Sequence, residues 1–198
     1  MLINYKLYLR YILSKSSFSF INNLSQSEKN YNLLVLPQYV LYLSTHLRFS
    51  SAFPLSQLVD IMSYEVPSQH AALSSLNNYN PEASSVVVYN FHSLYSQDRF
   101  FVFSQPSYLS CTGNDLASVS NSLSSVAEVY PAANWLEREV SELNGVSFAG
   151  KKDLRNLMLQ YGDASNPFKK SFPSIGLKEM HYDPIKDTIV QNPLSVQL

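Results

Sequence analysis

Three carboxylates crowd into six residues at Glu137, Glu139 and Glu142, the first place to look for general acid–base chemistry. On a helix, Glu137 and Glu139 stand two residues apart and face different directions, so they form no acid–base pair, and structural charge is the simpler reading. The four histidines, His46, His70, His92 and His181, show neither the i,i+4 spacing nor the accompanying carboxylates of a metal site. His92 falls near Ser96 and Asp98 at a predicted turn, but no nucleophile elbow accompanies them. Cys111 is the single cysteine, so this chain alone builds no disulfide, no Cys-rich zinc site and no cysteine-ligated iron–sulfur cluster. It has no neighbouring charge to activate its thiol. The five glycines form neither a dinucleotide fingerprint nor a phosphate loop, since Gly145, Gly150 and Gly162 fall at predicted helix ends. Trp135 reads as a core or interface anchor.

The acid cluster sits on a strongly patterned stretch. Asn134 predicts an N-cap, with Glu137 three residues on completing a capping box. Leu136, Val140 and Leu143 then recur at i, i+4 and i+7. Glu137, Arg138, Ser141 and Glu142 take the other face, with Arg138 and Glu142 at pairing distance. Gly145 is a left-handed stop. Leu154, Leu157, Met158 and Tyr161 repeat at helical spacing, with Asp153 near the start and Gly162 past the end, and predict a second short amphipathic helix.

Upstream, Leu7 to Leu24 predicts a helix, Asn32 to Leu36 a short buried strand, and Pro37 the opening of a helix with Val40, Leu41, Leu43, Thr45 and Leu47 on its apolar face. Leu55 to Val66 is a strand or a short helix, which periodicity does not decide. His70 to Ala83 is a polar loop rich in turn formers. Ser85 to Tyr95 and Arg99 to Ser104, joined by a turn at 96–98, predict a hairpin. Its continuous apolar character implies burial on both faces, or helices on one and a partner on the other. Ser107 to Ser125 is Ser- and Asn-rich with almost no charge. From Asp163 onward, Pro167, Pro173, Pro184 and Pro193 forbid a long helix, and spaced apolar residues mark an extended docking tail. The expected architecture is α+β: a small mixed or antiparallel sheet with flanking helices, an N-terminal extension over residues 1–30, a domain over 31–162, and a tail over 163–198.

At 198 residues such a chain buries roughly 70% of its unfolded surface. Charged residues make up 15%, below the usual ~25%, and mean hydropathy is -0.10, a balance that suits a permanent subunit. Net charge is -1, which argues against nucleic acid as a partner. Residues 1–50 carry five basic side chains against Glu28 alone, a net +4 that leaves -5 for the remainder. No run of about 18 apolar residues offers a membrane span, so membrane association is expected to be indirect. The basic, acid-free stretch from Met1 to Ser27 suits a retained amphipathic helix better than a cleaved mitochondrial presequence, because it lacks an Arg-rich bias and a clear cleavage signal.

Taken in order, Asn134 to Gly145, Lys151 to Gly162 and Asn166 to Pro173 resemble the signature of the 30 kDa subunit family (subunit 9) of respiratory complex I, of mitochondrial type. The pattern is met at Glu137, Arg138, Glu139, Glu142, Leu143, Gly145, Asp153, Leu154, Arg155, Tyr161, Gly162, Phe172 and Pro173. It extends upstream through Leu58 to Ile61, Val86 to Asn90 and Tyr130 to Asn134, about two-thirds of the chain in consistent order. Asn144 departs from a usual aromatic, Lys152 from proline, Asn166 from histidine and Ser171 from an acid; residues 1–30 and 105–125 carry no resemblance.

The resemblance implies a non-redox structural and assembly subunit in the peripheral, matrix-side arm at the mitochondrial inner membrane. Its expected neighbours are the large hydrogenase-like quinone-site subunit and the subunit that holds the terminal iron–sulfur cluster. The FMN, iron–sulfur clusters, NADH and ubiquinone of the whole assembly are expected to bind elsewhere, so this chain carries no catalytic, cofactor or metal residue. Trp135, Glu137, Arg138, Glu139, Asp153, Arg155, Lys169 and Phe172 become structural or interface residues. The alternatives are a homologous subunit of a membrane-bound hydrogenase-type complex and a stand-alone α+β enzyme.

Overall fold

The computed structural model describes residues 18–20, 30–51, 53, 56–66, 84–95, 97–106 and 122–194. A five-stranded sheet in the order β1-β2-β5-β4-β3 organises the domain. It comprises β1 (Phe18–Phe20), β2 (Asn30–Val35), β3 (Ser56–Val66), β4 (Ser84–Ser93) and β5 (Arg99–Ser104). Only β2 and β5 run parallel; the other neighbours are antiparallel. Between β2 and β3, Pro37 to Tyr39 form a single 3-10 turn that feeds helix α1 (Val40–Phe49), since proline's fixed φ suits a helix start.

Register explains the core. Leu33, Val102, Tyr89 and Ile61 are direct partners across β2, β5, β4 and β3, and Tyr31, Phe100, Phe91 and Leu58 form the adjoining row. Both rows lie on one face, where Val40, Leu43 and Leu47 of α1 and Phe53 pack into the same core. The opposite face carries the row Leu34, Phe103, Val88 and Met62. Val86 to Tyr89 are consecutively buried, so the centre of β4 is covered on both faces, the first of the two arrangements its sequence implies.

Periodicity left Leu55 to Val66 undecided because β3 breaks its own alternation. A register shift between Leu58 and Asp60 leaves Val59 outside the ladder and exposed, after which Ile61 returns to the core.

Further along the chain, β6 (Ser122–Ser124) pairs in parallel with β7 (Ser147–Ala149). Helix α2 (Ala133–Asn144) connects them and packs on β3. The rest of the chain is irregular until a separate hairpin, β8 (Lys178–Asp183) with β9 (Thr188–Pro193).

Several expectations are corrected. Residues 18–20 form a strand where a helix over Leu7 to Leu24 was expected; the remainder of that helix, the loop from His70 to Ala83 and most of Ser107 to Ser125 lie outside the described residues. In α1, Leu41 is exposed and Ser44 takes the buried position, bonding back to the Val40 carbonyl at 2.7 Å. The second amphipathic helix does not form: residues 151–163 are turns and bends, with Leu154, Met158 and Tyr161 exposed. The tail is not wholly extended, because it folds back as β8 and β9.

Candidate functional site: a charge-stapled loop

Helix α2 opens at Ala133 without any side-chain cap, so Asn134 and Glu137 form no capping box. Glu137 is instead 0% exposed. Its Oε1 accepts the Val126 amide at 2.8 Å, and its Oε2 accepts the Ser125 hydroxyl at 2.7 Å and the Lys151 ammonium at 3.1 Å. The Lys151 side chain is 1% exposed and also donates to the Asn134 carbonyl at 2.8 Å. A buried ion pair with every partner supplied is sustainable, whereas stripping one side leaves an uncompensated charge at a cost of about 3–5 kcal/mol. Glu137 thus ties the start of α2 to the segments on either side of it. Tyr89 lies beneath: burial first, and the Glu137 charge second, push its hydroxyl far above the ordinary tyrosine range, so it stays neutral.

One residue on, Arg138 spends its guanidinium on the loop. Nε donates to the Arg155 carbonyl at 2.9 Å and Nη2 to the Asn156 carbonyl at 3.2 Å, while Nη1 lies 3.5 Å from Asp153. The same guanidinium sits 5.3 Å from the ring of Trp135, which is 59% exposed. Asp153 is paired through two oxygens with Arg155 at 2.9 and 3.0 Å. The Arg155 guanidinium and amide hold the Asp153 carboxyl well below the usual range.

Arg138 and Glu142 do not close the expected ion pair, although the Arg138 charge still acts on Glu142. Glu142 is buried, and its carboxylate accepts the amides of Leu157 at 2.9 Å, Met158 at 3.0 Å and Leu159. Three successive amides converge as a nest on one carboxylate, so they are not available for the bonds to residues 153–155 that a helix over 154–161 would take from them. This is why the apolar repeat over 154–161 does not produce a helix. Burial alone would raise the Glu142 carboxyl, but those amides and the Arg138 charge outweigh it and hold the group below its ordinary range.

The C-terminal end of α2 receives the next segment. Gly145 stops the helix at φ 70, as expected. The positive φ calls for glycine, and a side chain there would also have to displace the Lys169 ammonium, 2.7 Å away, and the Asn166 amide, 2.9 Å away. The Lys169 cation therefore rests at the negative end of the helix. Phe168 donates its amide to the Leu143 carbonyl at 2.9 Å. Phe172 is half-buried and closes a turn onto Lys169, its amide 3.1 Å from that carbonyl.

Of the eight residues predicted to matter, Trp135, Glu137, Arg138, Asp153 and Arg155 converge on the loop and Lys169 on the helix end. Glu139 is half-buried and lies outside this network. Sequence reasoning did not assign Lys151, Ser125 or the Glu142 nest: a lysine or serine partnering from 14 or 12 residues away leaves no local signal. A cleft of about 330 Å³ beside α2 is lined by Ser125, Asn134, Lys151 and Asp153 among others; Lys151 is bonded to Glu137, and Asp153 to Arg155 and Arg138. Among the described residues, no three His, Cys, Asp or Glu side chains gather as a metal site, and no helix is long and apolar enough to cross a membrane.

A mixed five-stranded sheet with helices packed against it defines an α+β fold also seen in a solved trypsin-resistant fragment of Nqo5. That fragment matches at a TM-score of 0.53 with 22% identity, covering 76% of this chain and 98% of the fragment. The model of the respiratory-chain NADH dehydrogenase 30 kDa subunit matches residues 33–178, and the chain belongs to that family. NADH-ubiquinone oxidoreductase subunit 9 of Paramecium primaurelia is 32% identical over 192 residues, 96% of this chain and 85% of that protein. A subunit of the NADH-quinone oxidoreductase of Cereibacter sphaeroides is 30% identical over 162 residues, 82% of this chain and 70% of that protein.

Proposed function

We propose that the chain is a non-redox structural and assembly subunit of NADH:ubiquinone oxidoreductase. It sits in the peripheral arm on the matrix side of the mitochondrial inner membrane and supports the quinone-reducing module. The observation that carries this reading is the commitment of the signature charges: Glu137, Arg138 and Glu142 are buried and bonded to Lys151, to Asp153 and to loop backbone. They shape a surface instead of confronting a substrate. That surface leaves Trp135, Leu154, Met158, Tyr161 and Phe168 exposed, a run of large apolar groups of the kind that anchors a protein partner.

The partners are the large hydrogenase-like quinone-site subunit and the subunit with the terminal iron–sulfur cluster. FMN, NADH, ubiquinone and the clusters belong to those and other subunits; a single cysteine in this chain is consistent with that division.

Arg138→Ala tests the reading. Releasing the 155–156 carbonyls and leaving Asp153 with one cation fewer should lower the amount of assembled complex on native gels, with NADH:ubiquinone activity falling in parallel. Full assembly with a selective loss of turnover would place Arg138 in the chemistry and overturn it.

A further inference from the structure

β3 ends the strand order, so its outer edge is one margin of the main sheet. Near its end that margin is fastened twice. Asn144, the last residue of α2, donates its side-chain amide to the Ser63 carbonyl at 3.4 Å. Two residues along, the Glu65 carboxylate accepts the Lys170 amide at 2.6 Å, across 105 residues of sequence. The segment so held is the one that seats on α2: Phe168 donates to the Leu143 carbonyl, and Lys169 packs against Gly145. Glu65 belongs to neither the loop staple nor the signature blocks. A carboxylate accepting a backbone amide is a charge-assisted bond, stronger than the neutral bond from Phe168.

We infer that Glu65 is the positioning residue that fixes where the C-terminal segment leaves the domain, and so aims residues 171–194 at the partner subunit. The inference rests on the reading of that segment as a docking element. The residues that follow the clip include the exposed apolar side chains of Ile175, Leu177, Met180, Tyr182 and Ile189. The hairpin gives the clip something to aim. Cross-strand partners share a face, so Lys178/Pro193, Met180/Gln191 and Tyr182/Ile189 lie on one side and Glu179/Asn192, His181/Val190 and Asp183/Thr188 on the other; the exposed Met180, Tyr182 and Ile189 therefore stand together on the first.

The experiment compares Glu65→Ala and Glu65→Gln in the full chain, reading amide exchange at Phe168 and Lys170 against Val87 and Tyr89 of β4, together with the amount of chain incorporated in the native complex. Removing the carboxylate should speed exchange at 168–170 by about tenfold or more, the loss of one charged hydrogen bond, with β4 unchanged and incorporation reduced. Glutamine keeps an acceptor oxygen at the same reach but loses the charge, and should restore part of both. Unchanged exchange at 168–170 in Glu65→Ala would overturn the clip, as would loosening that spreads equally to β4. A freed segment with wild-type incorporation would overturn the aiming role. If the wild-type chain itself fails to enter an NADH-oxidising assembly, the proposed function fails, while the exchange measurement still decides the clip.

Discussion

Glu142 gives both carboxylate oxygens to three consecutive amides, and this choice at one residue decides the shape of the loop behind α2. Glu142 and Asp153 are both held below the ordinary carboxyl range. The unfolded chain therefore binds protons on these groups more readily than the folded one. The stability they confer is complete above the ordinary range, about pH 4, and drains away as pH falls from there toward the depressed folded values. Exchange at Leu157 and Met158, corrected for intrinsic rate, should lose protection in that window before β4 does. Glu142→Gln should weaken the attachment by about 2 kcal/mol at neutral pH and remove most of its acid sensitivity. Protection at these amides that is indifferent to both acid and the substitution would contradict the nest.

Among the elements, the turn after α2 is the most demanding. Gly145→Ala faces a left-handed φ and a collision with Lys169, whereas Gly162→Ala faces only its φ of 83, with nothing within 4 Å. Each substitution should cost about 1 kcal/mol through its φ, and only the first should also loosen residues 166–170; unchanged amide exchange at 166–170 in Gly145→Ala would show that Lys169 does not sit there. The same contrast marks what sequence can reveal. The β4–β5 hairpin, the helix after Pro37 and the Gly145 stop were legible because each is dictated within a few neighbouring residues. The supposed helix at 154–161 was not, since its apolar spacing is real but Glu142 captures its amides from 15 to 17 residues away. The supposed cap failed similarly: Glu137 faces a buried lysine, not the helix start.

At the scale of the whole molecule, the core is built on the main sheet, α1, α2 and the β6–β7 pair, the signature charges lock a loop onto α2, and the C-terminal segment leaves past Glu65 with its large apolar groups uncovered. Ile185 at the hairpin turn is 93% exposed. An isolated two-stranded hairpin is only marginally stable in water, so β8 and β9 gain from a surface to rest on. That a subunit is involved was legible from low charge and the signature blocks; the path of its tail was not, because the bonds that set it join residues about a hundred positions apart.

Native co-purification on the tagged full chain tests the central claim most directly. Recovery is expected in a megadalton assembly that oxidises NADH and reduces ubiquinone, in constant proportion to the chain across the purification. Recovery of the chain alone, or within an assembly that turns over hydrogen and not NADH, would contradict it.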